Sequence, residues 1–427
     1  MRPHPIWIHA IASLSLACSS SNFDVATPTP EDTGAESAED TAALGDGAVD
    51  DAIEDTVIED ALPPSDAPCS PLAPSATTIF VDARTTRAPV GSAECPTKTI
   101  AQALAIANDL LAAKRTIKIA GTSGTPLVYN ETSLLVVKGQ TSIIGAGPGQ
   151  VVISGGGACG ATTCVVVLDG AGSIEGVTIK AGAAVGLALG PAAGATAIAK
   201  NMTVTGATND ASAAVYVNGA GAVILGPEFR ATGNAGVGLM IETALSTKVH
   251  GSFNENGAGI VVKGGVLNIE GGQAQRNKTH GVSLLSNAKH TIANFDIREN
   301  AGNGIFVEAN AHLKMRSSTV VKNRIGLLFR FGTANELDLG TLADNGKNLF
   351  GGGTSGYNSK AAICLPLTRA TKAPAVGNKW LVCEPTRLPL VGGATCEGLS
   401  TYQDVYYTPI TSGDPAPLDW SACDMGP

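Results

Sequence analysis

Aromatic side chains are scarce: Phe, Tyr and Trp make up 4% of the 427 residues, and charged residues only 15%, against the ~25% usual for soluble domains. The first scarcity excludes a conventional core filled by large rings. The second excludes a highly charged coiled coil. Lys and Arg are missing altogether from residues 19–68, where nine Asp and five Glu give a net charge of −14. No two cysteines stand in a C-x-x-C pair, which argues against a zinc site or thioredoxin-like chemistry. Aspartates 46, 50 and 51 lack the D-x-[DN]-x-[DN]-G spacing of a calcium loop.

Glycine is abundant instead, 52 of 427, and hydrophobic residues reach 44%. That combination excludes global disorder and collagen, and it suits a chain that turns often and packs small side chains. A net charge of −9 and a pI near 5.2 argue against a nucleic-acid partner. The acidity is confined to the leader, because the remaining residues 69–427 hold 27 Lys+Arg against 23 Asp+Glu. Residues 19–68 therefore read as a self-repelling, disordered acidic tether ahead of a slightly basic folded body.

At the amino end, Arg2 and His4 precede an apolar stretch from Ile6 to Ala17, too short to span a bilayer. It ends in Leu14-Ser15-Leu16-Ala17-Cys18 and three serines. This resembles the lipobox of bacterial lipoproteins, in which cleavage leaves a lipid-bearing cysteine. The resemblance implies a signal peptide over 1–18, lipidation of Cys18, and export to the cell envelope, at the outer membrane or cell surface. Eight cysteines then remain, an even number in an oxidising compartment. Their proximity in sequence suggests disulfides Cys69–Cys95, Cys159–Cys164, Cys364–Cys383 and Cys396–Cys423. The uncharged run between Lys180 and Lys200 is broken by Gly182, Gly186, Gly190, Pro191 and Gly194. It reads as turns between short strands, not a membrane helix.

An internal repeat fixes the fold class. Asn234, Asn256, Asn277, Asn300 and Asn323 each precede a glycine that opens an apolar tetrad, and Asn345 opens a sixth, degenerate turn. The spacings of 21 to 23 residues are too short for two packed helices and match one coil of a solenoid. Alternation points Leu239/Ile241, Ile260/Val262, Val282/Leu284, Ile305/Val307 and Leu327/Phe329 at one core. The residues between them, Met240, Val261, Ser283, Phe306 and Leu328, form an outward and mostly apolar stripe. We expect the Cys-rich tail to cover that stripe or cap the end. Two further columns alternate in sign along the stack: Glu255, Arg276, Glu299, Lys322, Asp344, and Glu242, Lys263, Leu285, Glu308, Arg330. Outward ladders at coil spacing require such alternation.

The repeat resembles the right-handed parallel β-helix of the pectate-lyase-like superfamily over most of residues 98–358. The resemblance implies an all-β solenoid and a buried Asn ladder formed by the six asparagines, in which Asn also tolerates the left-handed conformation of the turns. Thr99 and Gln102 make a capping box ahead of an Ala/Leu/Ile face, like the helix that opens many such domains. The expected organisation is an N-terminal cap with helix over 69–115, about eleven coils over 116–358, and a Cys-rich tail or cap over 359–427.

The same superfamily includes pectate lyases, polygalacturonases and epimerases. His280-Gly281 and Arg324-Ile325 are similar to two polygalacturonase motifs, but the paired aspartates that hydrolysis needs are absent, since the one Asp-Asp pair, Asp50-Asp51, lies in the tether. Asp296 and Glu299 beside Arg298 are the nearest acid-base group, with a solvated turn as the plainer reading. Histidines 250, 280, 290 and 312 occupy different coil positions, so no shared metal site is expected. Gly155-Gly-Gly157-Ala-Cys-Gly160 matches G-x-G-x-x-G formally, but no helix pattern follows. The sequence thus points to a non-enzymatic surface or structural protein with no catalytic residue, metal or cofactor. Its partners would be a polysaccharide or an envelope protein, with the membrane reached through the lipid alone. The alternative is a polysaccharide lyase or hydrolase acting on uronic-acid polymers.

Overall fold

A computed structural model describes residues 68–110, 114–160, 162–308, 310–330, 336–351, 356–365, 373–380, 387–390, 396, 403–407 and 418–419. The segments expected to be a signal peptide and a tether, residues 1–18 and 19–68, lie outside the described residues save for Pro68, as do Cys383 and Cys423.

Glycine punctuation and short β-branched runs give strands of two to eleven residues, which stack into a right-handed parallel β-helix. One sheet has 17 strands and a second has 13. Nearly every pairing is parallel. The exception among the named strands is Gly157–Cys159, which runs antiparallel to Thr162–Asp169. A typical coil runs Lys289–Ala293, bends at Asn294, continues as Phe295–Arg298, turns at Asn300, and returns as Asn303–Val307 in the second sheet. The run between Lys180 and Lys200 is two strands, Val185–Leu189 and Thr196–Lys200, as its glycines suggested.

The alternating apolar residues meet inside. Leu239, Ile241, Ile260, Val262, Val282, Leu284, Ile305, Val307, Leu327 and Phe329 are all fully buried in one continuous core. Large and small side chains alternate along the stack: Ala231 faces Phe253, and Gly272 faces Phe295. Small residues opposite rings keep packing dense at a fixed coil spacing.

The coil count differs from the expected eleven. Nine parallel strands of the second sheet, from Leu135–Lys138 to Ile325–Phe329, fall within residues 116–358, so the described part of this region winds about nine turns. The 22-residue period holds from 234 to 329, but the coils that open and close the stack are longer. Leu135 pairs with Val166, and Leu327 with Ile363. Beyond 358, strands Ala361–Leu365, Gln403–Tyr407 and Arg387–Pro389 add three more strands to the same sheet, stacked in that order.

The amino end also departs from a simple cap. Strand Thr78–Val81 already pairs in parallel with Lys114–Ile119, and helix α1, Ile100–Asp109, is inserted between them. Ile100, Ala103, Leu104 and Ala107 are its buried face, which closes the open end of the stack. Its capping box forms as the sequence indicates, Thr99 and Gln102 exchanging side-chain and backbone hydrogen bonds. Glu131 adds a cap that spacing did not reveal. From strand Leu127–Glu131, its Oε1 accepts the Ile100 amide at 2.7 Å and its Oε2 the Ala101 amide at 3.3 Å. A carboxylate there satisfies orphan amides and complements the helix dipole.

Three disulfides are present among the described residues: Cys69–Cys95, Cys159–Cys164 and Cys364–Cys396. The third corrects the expected Cys364–Cys383 and removes Cys396–Cys423. Cys364 projects outward from its rung onto the stripe, and Cys396 reaches it there beside Leu390 and Leu328.

Candidate functional site

The asparagines line one edge of the stack, between the two sheets. Each Oδ1 accepts from the backbone amide of the ladder residue one coil earlier: Asn234 to Asn256 at 3.2 Å, Asn256 to Asn277 at 3.0 Å, Asn277 to Asn300 at 3.0 Å and Asn300 to Asn323 at 3.1 Å. The side-chain amides donate to carbonyls near the ends of the preceding strands, such as Ala231, Phe253 and Ala274. All five are buried, so the ladder satisfies turn amides that would otherwise be costly.

Asn345 is exposed and does not join them. The file continues through Asn358, whose Oδ1 accepts from Asn323 at 3.0 Å. A second file, missed in the sequence, runs through Ser318, Asn348 and Asn378. Nor do the ladder asparagines adopt the left-handed conformation. That falls to the residue before each one: Gly233 (φ 68°), Glu255 (58°), Arg276 (52°), Glu299 (60°) and Lys322 (57°).

The strand glycine of the repeat makes room for the ladder. A Cβ at Gly238, Gly259, Gly281, Gly304 or Gly326 would come within 2.7 to 3.0 Å of the Nδ2 of the asparagine one coil on.

The charge columns form as ion pairs between coils. Lys263 meets Glu242 at 2.6 Å, Arg276 meets Glu255 at 2.8 Å, Arg330 meets Glu308 at 3.5 Å and Lys322 meets Glu299 at 3.7 Å. Asp344 leaves its column because the chain loops out there. It pairs with Arg316 at 2.9 Å and Lys314 at 3.0 Å, and these hydrogen bonds hold its carboxyl near a pKa of about 2.

The nearest acid-base candidates are likewise committed. Asp296 is salt-bridged to Arg298 and accepts from Gln275 Nε2 at 2.8 Å, while Glu299 faces Lys322. The histidines are dispersed. His250 is exposed. His280 Nδ1 accepts from the Asn303 amide at 3.0 Å, and its ring stacks on Phe306; burial lowers its pKa. His290 is 1% exposed and its Nδ1 accepts from the Leu267 amide at 3.2 Å. The ring proton must then sit on Nε2, 3.0 Å from Ser286 Oγ. In that tautomer the imidazole cannot take a proton from Ser286, so the pair is structural. Burial pushes its pKa down to about 4. His312 lies 3.6 Å from Glu336. Among the described residues no three His, Cys, Asp or Glu side chains converge as metal ligands.

Glycines 155 and 156 have φ of 101° and 119°. A Cβ at Gly155 would lie 1.8 Å from the Glu131 carbonyl oxygen, so this glycine is required by close backbone approach. The G-x-G-x-x-G segment leads into the Cys159–Cys164 hairpin and opens no helix. It borders a groove of about 400 Å³ with Ser154, Thr163 and Lys180.

A groove of about 670 Å³ opens on the ladder edge. Lys322, Arg324 and Lys360 line it with Glu299, Ser359 and Tyr357, and the Tyr357 ring is 53% exposed. Among the described residues, the tail covers the outward stripe at its Leu328 end. Leu328 is 1% exposed beneath Leu390 and the Cys364–Cys396 bond, with Phe306 packed against them, while Met240 and Val261 remain half-buried. The tail thus both lengthens the stack and shields the last part of the stripe.

The fold and this edge define a parallel β-helix. Residues 163–354 match the family model described as right handed beta helix region. Two solved structures are similar, both from Azotobacter vinelandii. The A-module of mannuronan C-5 epimerase AlgE4 is 13% identical with a TM-score of 0.39, over 72% of this chain and 90% of that one. The A-module of mannuronan C-5 epimerase AlgE6 is 15% identical with a TM-score of 0.42, over 73% and 94%. No curated protein matches this sequence significantly.

Proposed function

We propose that this chain is an exported β-helix, anchored to the cell envelope by lipid on Cys18, with a non-enzymatic role in presenting a surface to a polysaccharide or an envelope protein. The observation that carries this reading is how the outer acids are used. Glu242, Glu255, Asp296, Glu299 and Glu308 each face a cation in the same or the adjoining coil. Carboxylates held this way brace a rod; they are poorly placed to exchange protons with a substrate. The ladder and the closed core supply the rigidity such a scaffold needs. The acidic tether, extended by its own repulsion, would hold the body away from the membrane.

The test has two arms. Expressed with its signal in a bacterial host, the wild-type chain should fractionate with membranes and carry lipid by mass spectrometry. Cys18→Ser should lose both. In the second arm, purified protein is incubated with uronic-acid polymers and scored for new chain ends. The competing reading, a lyase or hydrolase using Asp296 and Glu299, is adopted if turnover appears and is abolished by Asp296→Asn or Glu299→Gln.

A further inference from the structure

The parallel strands of the second sheet stack in the order in which the chain makes them, from Leu135–Lys138 to Ala361–Leu365. The last two do not. Gln403–Tyr407 comes later in the chain than Arg387–Pro389, yet it lies between that strand and Ala361–Leu365, parallel to both. Val405 is paired with Ile363 on one side and with Arg387 on the other. Composition accounts for the exchange of places. Proline has no amide to give to a ladder, so Pro389 suits its strand to the outermost position. Ala361–Leu365 carries an amide at every residue, and the Val and two Tyr of Gln403–Tyr407 make a β-prone partner for it.

Among the described residues, Arg387–Pro389 joins the sheet only through the inserted strand. Withdrawal of that strand would release both and leave one edge of Ala361–Leu365 unpaired, an open template for strand addition. Val405 would also leave the core, where it is fully buried with Ile363 and Leu365.

The Cys364–Cys396 bond is placed to oppose this. Cys364 lies on the strand that receives the insertion, in register with Tyr406, and Cys396 stands seven residues before Gln403. The bond thus holds the inserted strand on a short leash beside its seat. Without it the covalent route from Leu365 to Gln403 is 38 residues, and the added loop-closure entropy makes opening about tenfold easier. The closed end shields the bond in turn. Cys364 and Cys396 are 0% and 1% exposed, so a reductant reaches neither sulfur until the end opens.

We propose that Gln403–Tyr407 is a clasp, locked by Cys364–Cys396, through which the carboxyl-terminal end of the second sheet opens and closes as one redox-sensitive unit. The switching step is exchange with a dithiol. The Cys364–Cys396 S–S bond breaks and each sulfur gains a proton, while the dithiol gives up two electrons and two protons as it closes to its own disulfide. This goes beyond the anchoring and surface-binding reading and does not depend on it.

Hydrogen exchange of the full chain, read by mass spectrometry, tests the clasp. In C364A/C396A, exchange over 361–365, 387–389 and 403–407 should rise together by about tenfold or more, while Asn303–Val307 keeps its wild-type protection. V405A leaves the bond in place but removes buried methyl groups from the clasp. It should speed reduction of Cys364–Cys396 by dithiothreitol about tenfold or more, with Cys69–Cys95 reduced at the wild-type rate. Unchanged exchange in C364A/C396A, an equal rise at Asn303–Val307, or protection that persists at 387–389 while 403–407 opens would each overturn the clasp. So would a V405A protein whose Cys364–Cys396 bond is reduced no faster than in wild type.

Discussion

Gly281 and Asn300 are a matched pair. The asparagine Nδ2 occupies the space a side chain at 281 would need, only 2.9 Å from the position of its Cβ. The Ile297 methyl and the Gly304 carbonyl oxygen crowd the same point at 2.7 Å. The recurring Asn and Gly of the repeat are one device, an amide and the gap that admits it.

Gly281→Ala should therefore destabilise the protein by about 2 to 3 kcal/mol through overpacking. Gly149→Ala is the control: nothing lies within 4 Å of its Cβ position, and the change should stay within about 0.5 kcal/mol. Urea denaturation of both variants decides it; equal midpoints would refute the pairing.

Asn277→Ala removes the acceptor for the Asn256 amide and the donors to Phe253 and Asn300. Each buried partner left unsatisfied costs about 1 to 3 kcal/mol, so a loss near 3 kcal/mol or more is expected. Asn345→Ala, at the exposed position that spacing had suggested, should be nearly silent. Thermal unfolding of the two side by side separates a real ladder member from an apparent one.

Acid should weaken the fold through His290. Its folded pKa is lowered from 6.5 to about 4 by burial, so between those values the unfolded chain binds a proton that the folded chain does not. Stability is then fully present above pH 6.5, declines as pH falls toward 4, and levels off below it, a change of at most about 3 kcal/mol. His290→Asn should flatten this part of a stability-against-pH curve. A variant with the same slope as wild type would show that other groups carry the effect.

Peptide mapping under non-reducing conditions should recover Cys364 joined to Cys396. Replacing both by Ala opens a loop with a separation of 32 residues and should cost about 3 kcal/mol. It should also raise the accessibility of Leu328, which proteolysis near that rung can report. Recovery of a Cys364–Cys383 peptide would contradict the stacking of the tail.

The legible parts of this molecule are those where the period is regular. Between Asn234 and Asn323, residues 21 to 23 apart fall in line, and both the ladder and the paired charges could be read directly. At Asn345 the spacing continues but the chain does not: a longer excursion brings Asn358 to the next rung, and only the backbone path reveals it. Glu131 was invisible for a related reason, since it caps a helix 31 residues earlier in the chain. Cys364 finds Cys396 because stacking makes distant rungs adjacent, which sequence proximity cannot register. Arg324 was singled out only with its neighbour Ile325; that it lines one groove with Lys322, Lys360 and Tyr357 is something no linear spacing announces.

The ladder also has a direction. The backbone N–H of each ladder asparagine, Asn234, Asn256, Asn277, Asn300 and Asn323, is satisfied by an oxygen supplied one coil later in the chain. Each coil's ladder amide is thus left unsatisfied until the coil that follows it in the chain is in place. A stack cut short between two of these coils would therefore end on one unpaired amide, at its carboxyl-terminal face.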